Sequence, residues 1–267
     1  MKDCGMYQHK NSLKTLMARL IARLDIKNGS VIKGIHLEGQ RRVGDPIELA
    51  QRYYTQSIDE IILMDSVASL YGRSNLFHTI SEACKSVFVP ITMGGGIRSL
   101  ADVEQALAAG ADKVAVNTGL VNEPSLAEHI ASVYGSQCLV ASIEAKKKGN
   151  YWEAYINNGR EPTGRDVIEW SKELEQLGAG ELLVTSVDHE GTQRGFDIDL
   201  YATLECAVRI PIIASGGAGK LQHLHDLTTR TELQGVAVAS ILHYEKAAVG
   251  EIKAALINNY NEQSASR

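Results

Sequence analysis

Several kinds of feature are scarce in this chain of 267 residues, and each scarcity excludes a class of protein. The four cysteines are widely spaced and form no Cys-x-x-Cys pair, which argues against a disulfide framework or a zinc site. A net charge of −5 argues against a nucleic-acid-binding surface, which would be basic. No apolar run approaches the roughly 20 residues that a membrane span needs. With 44% hydrophobic and 22% charged residues, the composition is that of a soluble globular protein.

Metal ligands and targeting signals are also missing. The eight histidines form no ligand-spaced cluster, and His223 and His225 are expected on an exposed helix, so no metal or redox cofactor is indicated. Residues 1–17 are polar and basic and lack the apolar stretch of a secretory signal. We expect them to be a disordered or tag-like extension with Met17 as the natural start. Residues 18–267 then form one domain of a cytoplasmic protein.

An internal repeat at an offset of about 120 residues is the main feature that the chain does have. Residues 20–27, 59–66 and 89–95 are matched by residues 139–146, 180–187 and 210–216. Three matched segments at nearly the same offset predict a fold built from two equivalent halves.

Short apolar runs alternate with longer amphipathic stretches, which is typical of βαβ units with a parallel sheet. The predicted strands are Leu20–Leu24, Glu60–Met64, Phe88–Met93, Lys113–Val116, Cys138–Ile143, Glu181–Thr185, Pro211–Ala214 and Gly235–Val238. Predicted helices include Pro46–Thr55, Leu100–Ala109, Ser125–Val133, Val167–Leu177 and Glu245–Ile257. This pattern predicts a (β/α)8 TIM barrel of two homologous half-barrels. A doubly wound open sheet is the alternative, but a two-fold repeat of four βα units closes naturally into a barrel.

Two connections are unusually long and occupy equivalent places in the two halves. They are Asn28–Gly44 after the first strand and Lys147–Thr163 after the fifth. Long loops at the carboxyl ends of barrel strands usually cover or build an active site.

Glycines and small polar residues follow the strands in a duplicated pattern. Gly94–Gly96 follows the third strand and Ser215–Gly219 the seventh, while Asn117-Thr118 follows the fourth and Ala239-Ser240 the eighth. Glycines let backbone N–H groups approach an anion, and a following helix N-terminus adds partial positive charge. The duplication therefore predicts a ligand with two phosphates, bound across the barrel mouth.

The segment after the sixth strand, Asp188–Thr192, is expected to border the second phosphate, and its counterpart Val67-Ala68-Ser69 is less polar. The predicted substrate and phosphate contacts are Lys33, Asp65, Gly95, Gly96, Asn117, Thr118, Thr185, Glu190, Gly191, Gly216, Gly217, Ala239 and Ser240.

The repeat also places a carboxyl group at the end of the first and fifth predicted strands, which lie on opposite sides of an eight-stranded barrel. These residues are Asp25 and Glu144. One protonated and one ionised carboxyl can donate and remove protons at different atoms of one substrate. We therefore predict that Asp25 and Glu144 are an acid/base pair.

These segments together carry a family resemblance over about residues 18–257. It depends on residues 22–29, 44–46, 94–97, 110–114, 117–118, 135–137, 215–219 and 239–240. The chain resembles the cyclase subunits of imidazole glycerol phosphate synthase, which act in histidine biosynthesis. It is similar, more distantly, to the isomerase of the preceding pathway step, which shares the duplicated barrel.

The resemblance implies a ribulosyl phosphate substrate with a phosphate at each end, and ammonia that a glutaminase subunit releases. Ammonia would travel through the barrel to the mouth, where the substrate is cleaved and an imidazole ring closes. Asp25 matches the first of the family's two catalytic aspartates, and Glu144 stands where the second is expected. A charged ring at the barrel bottom, where the glutaminase would dock as a heterodimer, is matched by Arg19, Glu60, Lys113 and Glu181. The chain itself shows no Cys-His-Glu triad for releasing ammonia.

Several residues around the mouth depart from the family pattern. Glu144 extends its carboxyl one methylene beyond an aspartate, and Arg23 stands at an interior position that is usually small or apolar. Val67, Glu190 and Asn28 replace a threonine and two aspartates. The departures keep two alternatives open. One is a cyclase-like subunit that channels ammonia for amidation of a nucleotide-linked sugar in surface-polysaccharide synthesis, and the other is a non-catalytic barrel that activates a glutaminase.

Overall fold

The computed structural model describes residues 18–66 and 76–257. The predicted extension over residues 1–17 and the segment Val67-Ala68-Ser69 lie outside this range, so the expectations for both remain predictions.

Twelve strands and the helices between them make up the described chain. The strands are β1 (Arg19–Lys27), β2 (Ser30–Ile35), β3 (Glu38–Gly44), β4 (Glu60–Asp65), β5 (Ile91–Gly94), β6 (Lys113–Val116), β7 (Leu139–Lys148), β8 (Tyr151–Ile156), β9 (Glu161–Asp166), β10 (Glu181–Ser186), β11 (Ile212–Ser215) and β12 (Gly235–Val238). The helices are α1 (Pro46–Thr55), α2 (Leu76–Ala83), α3 (Leu100–Ala108), α4 (Thr118–Asn122), α5 (Ser125–Tyr134), α6 (Val167–Gln176), α7 (Ile198–Glu205), α8 (Leu221–Arg230), α9 (Ser240–His243) and α10 (Val249–Ile257), with a short 3-10 turn at Ser136–Cys138.

Eight of these strands close into a parallel barrel. The order is β1, β4, β5, β6, β7, β10, β11 and β12, and β12 pairs back with β1, where Ile21 lies beside Ala237. Helices flank the barrel, and their buried apolar faces pack against the outer surface of the strands. The predicted (β/α)8 barrel is confirmed.

The predicted strands and helices all appear, with two shifted starts. The third barrel strand begins at Ile91 instead of Phe88, because Phe88 is 73% exposed and Pro90 has no N–H for the ladder. The last helix begins at Val249 instead of Glu245, whose positive φ of 52° is not helical.

The two long connections are antiparallel hairpins rather than irregular loops. β2 and β3 extend from β1, and the turn at Asn28-Gly29 has positive φ at both residues (50° and 70°), as a type I′ turn requires. β8 and β9 extend from β7 in the same way. Asp25 and Glu144 consequently lie within long strands and not at strand ends, which corrects that prediction. Asp25 pairs with Ile32, and Glu144 pairs with Tyr155.

Helix caps repeat the internal symmetry in atomic detail. Asp45 caps α1 by accepting the backbone N–H groups of the second and third residues beyond it, at 2.8 and 3.1 Å. Asp166 caps α6 with the same two bonds at the same two lengths. Equivalent halves of the sequence thus use the same device to start the helix that follows each hairpin.

The barrel interior is layered from bottom to top. Charged residues occupy the first position of four strands at the amino-terminal end. An apolar layer follows, formed by Ile21, Ile62, Ala115, Val140, Leu183, Ile213 and Ala237. Arg23 lies two residues above Ile21 on β1 and therefore points into the same interior, at the level where the apolar layer gives way to the mouth.

Candidate functional site

Two cavities open at the carboxyl ends of the barrel strands. The first cavity, of about 620 Å³, includes predicted contacts that mostly follow first-half strands: Asp65, Gly95, Gly96, Asn117, Thr118 and Thr185. The second cavity, of about 330 Å³, includes the remaining ones: Lys33, Glu190, Gly191, Gly216, Gly217, Ala239 and Ser240. Each predicted contact thus lines one of the two cavities, although their role in binding phosphate remains a prediction. Of the segment Asp188–Thr192, only Glu190 and Gly191 line the second cavity.

Each cavity holds the start of a short helix with the same unusual backbone. Asn117 precedes α4 with φ and ψ of −115° and −83°, and Ala239 precedes α9 with −131° and −74°. Neither residue caps its helix with a side-chain hydrogen bond. The first N–H groups of both helices can therefore bind an anion in the cavity.

Glycine is required where the cavity walls approach other backbone. Gly95 has φ of 90°, and a Cβ there would lie 2.3 Å from the carbonyl oxygen of Asp65. Gly217 has φ of 109°, and a Cβ there would lie 1.9 Å from the carbonyl oxygen of Gly195. The Gly217 carbonyl also accepts the Gly195 N–H at 2.9 Å, which holds the loop after β10 against the loop after β11. Only glycine fits these contacts at such φ values.

Buried polar side chains hold the second cavity in shape. The Tyr201 hydroxyl donates to the Ser215 carbonyl at 2.7 Å and accepts the Ser215 N–H at 3.1 Å. His223 lies on a helix as predicted, but its expected exposure is wrong, since it is only 8% exposed. Its Nδ1 accepts the Gly219 N–H at 3.2 Å, so the imidazole is turned inward to satisfy the glycine loop.

Asp25 is buried and lines a third cavity of about 300 Å³ together with Lys33. Its Oδ1 accepts a hydrogen bond from Arg23 Nε at 2.9 Å. Burial alone would raise the pKa of Asp25, but the charges of Arg23 and Lys33 outweigh it and hold that pKa below its usual value. Asp25 is therefore a carboxylate at neutral pH.

Glu144 lines the first cavity and is partly buried. Its Oε2 accepts the backbone N–H of Gly159 at 2.7 Å, so the tip of the β8–β9 hairpin holds the longer side chain in place. Burial raises the pKa of Glu144 to about 7, against the hydrogen bond from Gly159 and the charge of Arg23, which lower it. The two carboxyl groups thus differ in pKa, so that below about pH 7 Glu144 is mostly protonated while Asp25 is ionised, as an acid/base pair requires.

A buried ion pair joins the β2–β3 hairpin to the loop after β10. Lys33 contacts Glu190 Oε1, and Glu190 Oε2 accepts the Leu37 N–H at 2.8 Å. Burial lowers the pKa of Lys33 to about 8, although the charge of Asp25 raises it. The carboxylate of Glu190 is therefore paired within the mouth.

The predicted site residues leave out several side chains that the fold brings to the cavities. Asn157 and Asn158, at the tip of the β8–β9 hairpin, have positive φ of 55° and 60° and line the first cavity. Asn158 also donates to the Ser66 carbonyl across the mouth. The Asn-Asn-Gly sequence is a turn signal that could have located this tip. Ser142 and Arg98 line the same cavity, and no local pattern indicates them.

The four predicted partner-face residues form a closed ionic ring at the opposite, amino-terminal end of the barrel. Each is the first residue of its strand: Arg19 of β1, Glu60 of β4, Lys113 of β6 and Glu181 of β10. Arg19 contacts both acids, at 2.5 Å to Glu60, and Lys113 bridges the same acids at 3.0 and 3.2 Å. Thr92 donates to Glu60 at 3.0 Å. Because both acids are buried, the two cations must neutralise them.

Residues 18–66 and 76–257 contain no group of three His, Cys, Asp or Glu side chains arranged to hold a metal ion. Within the same residues no helix has the length and apolar character needed to cross a membrane.

The family described as histidine biosynthesis protein matches residues 19–248. The chain belongs to this family. The resemblance inferred from the sequence motifs is thereby confirmed.

Three curated relatives within the histidine biosynthesis family carry the name imidazole glycerol phosphate synthase subunit HisF. The protein of Legionella pneumophila is 55% identical over 208 residues, which cover 78% of this chain and 98% of the relative. The protein of Prochlorococcus marinus is 46% identical over 243 residues, covering 90% and 95%. The protein of Pyrococcus furiosus is 46% identical over 244 residues, covering 91% and 97%.

Proposed function

We propose that this chain is the cyclase subunit of an imidazole glycerol phosphate synthase. In this reaction ammonia adds to a ribulosyl aminoimidazole substrate with a phosphate at each end, the substrate is cleaved, and the imidazole ring closes. The observation that carries the proposal is the pair of cavities with equivalent helix starts at Asn117 and Ala239, together with Glu144 in the first cavity and Asp25 in a third cavity at the same mouth. The names of the three relatives support the same reaction.

Each end of the substrate would be held by backbone N–H groups rather than by a cluster of lysines. Gly95 and Gly96 with Thr118 surround one phosphate, and Gly216 and Gly217 with Ser240 surround the other. With both phosphates bound, the reacting atoms would be held near the two carboxyl groups. The loss of translational and rotational entropy would then be met on binding and not in the transition state, which lowers the barrier. Asp25 and Glu144 then move protons at different atoms of the same substrate.

Ammonia would enter from the opposite end of the barrel, supplied by a glutaminase subunit that docks on the ring of Arg19, Glu60, Lys113 and Glu181. The apolar layer above the ring suits a small neutral molecule such as ammonia and disfavours ions. Arg19 and Lys113 keep 34% and 21% of their side chains exposed, so a partner can contact them directly. A cytoplasmic location belongs to the same proposal, because both substrates are metabolites of amino-acid synthesis.

The two alternatives are less well supported. A barrel that only channels ammonia, or only activates a glutaminase, has no need for two phosphate cavities or for two carboxyl groups whose pKa values are shifted in opposite directions. Although Glu144 is one methylene longer than an aspartate, its carboxyl group is fixed by the Gly159 N–H at 2.7 Å.

Turnover of the ribulosyl substrate with an ammonium salt tests the proposal directly. The wild-type chain should form imidazole glycerol phosphate without a partner, and glutamine should replace ammonium once the glutaminase subunit is added. Asp25→Asn should reduce kcat by about 10²- to 10⁴-fold while leaving substrate binding within about threefold, since it removes a proton acceptor but no phosphate contact. Arg230→Gln, which alters an exposed ion pair with Asp199, is the matched control. If high ammonium gives no ring closure, the cyclase function is wrong.

A further inference from the structure

Arg23 is a buried cation for which the proposed reaction has no assigned use. It is 7% exposed, points into the barrel interior, and lines all three mouth cavities. A guanidinium cannot give up its proton inside a protein, so its charge is permanent.

The contacts of Arg23 hold it in one orientation across the barrel axis. Nε donates to Asp25 Oδ1 at 2.9 Å, and Nη1 donates to Thr185 Oγ1 at 2.7 Å and to Ser215 Oγ at 3.2 Å. Thr185 lies on β10 and Ser215 on β11, which are three and two strands from β1 by way of β12, so the guanidinium is held by residues of the other half as well as by Asp25. A planar group fixed on two sides leaves the bonded carboxyl little freedom to turn.

The charges facing the two carboxyl groups are unequal. Asp25 faces Arg23 on its own strand, Lys33 on β2 and His243 on α9. Burial lowers the pKa of His243 to about 4, so this imidazole is neutral and adds no charge at neutral pH. Glu144 is influenced by the charges of Arg23, of Lys146 on its own strand and of Asp25, and among residues 18–66 and 76–257 no ion pair of Glu144 is found. Asp65 and Glu190 also border the cavities, and Glu190 is paired with Lys33.

We propose that Arg23 is a positioning residue that holds Asp25 as an ionised carboxylate in a fixed orientation, so that Asp25 accepts a proton from the substrate and Glu144 donates one. In each turnover Asp25 gains one proton and Glu144 loses one, and exchange with solvent resets both. The assignment of acid and base rests on the proposed cyclase function. The hydrogen-bonded ion pair of Arg23 and Asp25, called the Arg23–Asp25 clamp below, does not depend on that function.

Carboxyl titrations by ¹³C NMR test the clamp without any turnover. In the wild-type protein at pH 6, Asp25 should be ionised and Glu144 protonated, with the resonances assigned from Asp25→Asn and Glu144→Gln. Arg23→Gln removes the charge and should move the Asp25 titration to higher pH. Arg23→Lys keeps a cation, so the Asp25 titration should move to higher pH by less than in Arg23→Gln. In the exposed control Arg230→Gln, the Asp25 titration should stay at its wild-type position.

Kinetics then distinguish positioning from binding. Because the acid limb of kcat/KM should follow Asp25, Arg23→Gln should lose about tenfold more activity at pH 5 than at pH 8. A pH-independent rise in KM, with the Asp25 titration unmoved, would make Arg23 a ligand contact and overturn the proposal. A lower melting temperature with an unmoved Asp25 titration would make Arg23 a structural residue and would also overturn the proposal.

If Arg23→Gln does not fold, the wild-type measurement decides, since a protonated Asp25 at pH 6 excludes the clamp. A shifted titration in a protein that forms no imidazole product would support the clamp and refute the cyclase function.

Discussion

The two half-barrels agree closely where they would hold phosphate and disagree where they would move protons. The helix starts at Asn117 and Ala239 share one backbone conformation, and Asp45 and Asp166 cap equivalent helices with bonds of the same lengths. By contrast, Arg23 and Asp25 in the first half stand where the second half has Ser142 and Glu144.

The asymmetry extends to the partners of Arg23. Its hydroxyl acceptors, Thr185 and Ser215, stand where the first half has Met64 and Gly94. A guanidinium at position 142 would therefore find no hydroxyl acceptors at the equivalent positions, Met64 and Gly94. A ligand with similar ends needs similar anchors, but a reaction that moves protons in one direction needs unlike groups. The duplicated fold thus gives two similar phosphate sites, and the differences between its halves give two carboxyl groups that can move protons in opposite senses.

Breaking each phosphate cavity in turn should have the largest effect. Gly95→Ala and Gly217→Ala would each place a Cβ within 2.3 Å of a backbone oxygen at a φ that disfavours side chains. Because displacing a binding loop by about 1 Å can cost on the order of a hundredfold in rate, each variant should lose at least that in kcat/KM. The measurement is ammonium-driven turnover over a range of substrate concentrations.

A matched control for these variants is Gly250→Ala. That glycine lies in α10, and a Cβ there meets nothing within 4 Å. Its activity should match the wild type, with a small gain in stability from helix propensity. If only one of the two cavity variants loses activity, the substrate does not bridge the two cavities, and the equivalence of the halves is structural alone.

The difference between the two carboxyl groups should appear in the pH dependence of stability. Glu144 has a folded pKa of about 7 against an ordinary value of 4.5, so the native state binds more protons than the unfolded state between these pH values. Its contribution to stability therefore falls as pH rises from about 4.5 to 7, by about 3 kcal/mol in total. Asp25 has a lowered pKa, so its contribution is present above its ordinary pKa and is lost only as pH falls through the lowered value.

Urea unfolding of the wild type and Glu144→Gln from pH 4.5 to 8 measures this effect. The variant should gain in free energy of unfolding relative to the wild type as pH rises through the window. Burial also raises the pKa of Glu205 to about 7, but this carboxyl is present in both proteins and cancels in the difference. A difference that stays constant with pH would mean that the pKa of Glu144 is not raised and that both carboxyl groups are ionised at neutral pH.

Local patterns could predict the barrel and the cavities, because strand runs and glycine loops are local in sequence and occur in both halves of the repeat. The charged ring was expected from the family resemblance and not from a local pattern. The hairpin after β1 could also be predicted, since Asn28-Gly29 between apolar strands is a strong turn signal. The hydrogen bonds that fix Arg23 could not be predicted from local patterns. Alternation along β1 places Arg23 and Asp25 on the same face, but Thr185 and Ser215 lie 162 and 192 residues away, and only closure of the barrel brings their hydroxyls to the guanidinium.

The smallest effect tests whether the halves are energetically as well as geometrically equivalent. Asp45→Ala and Asp166→Ala each remove a carboxylate that accepts two backbone N–H groups at 2.8 and 3.1 Å. Loss of such a cap costs about 1 kcal/mol, so both variants should lose about that much in free energy of unfolding, within a few tenths of each other. Urea unfolding at pH 7 measures both, and ammonium-driven turnover should stay near wild type, since neither residue lines a cavity. Unequal losses would show that the hairpins preceding α1 and α6 do not support their helices equally, which would confine the equivalence of the halves to the phosphate cavities.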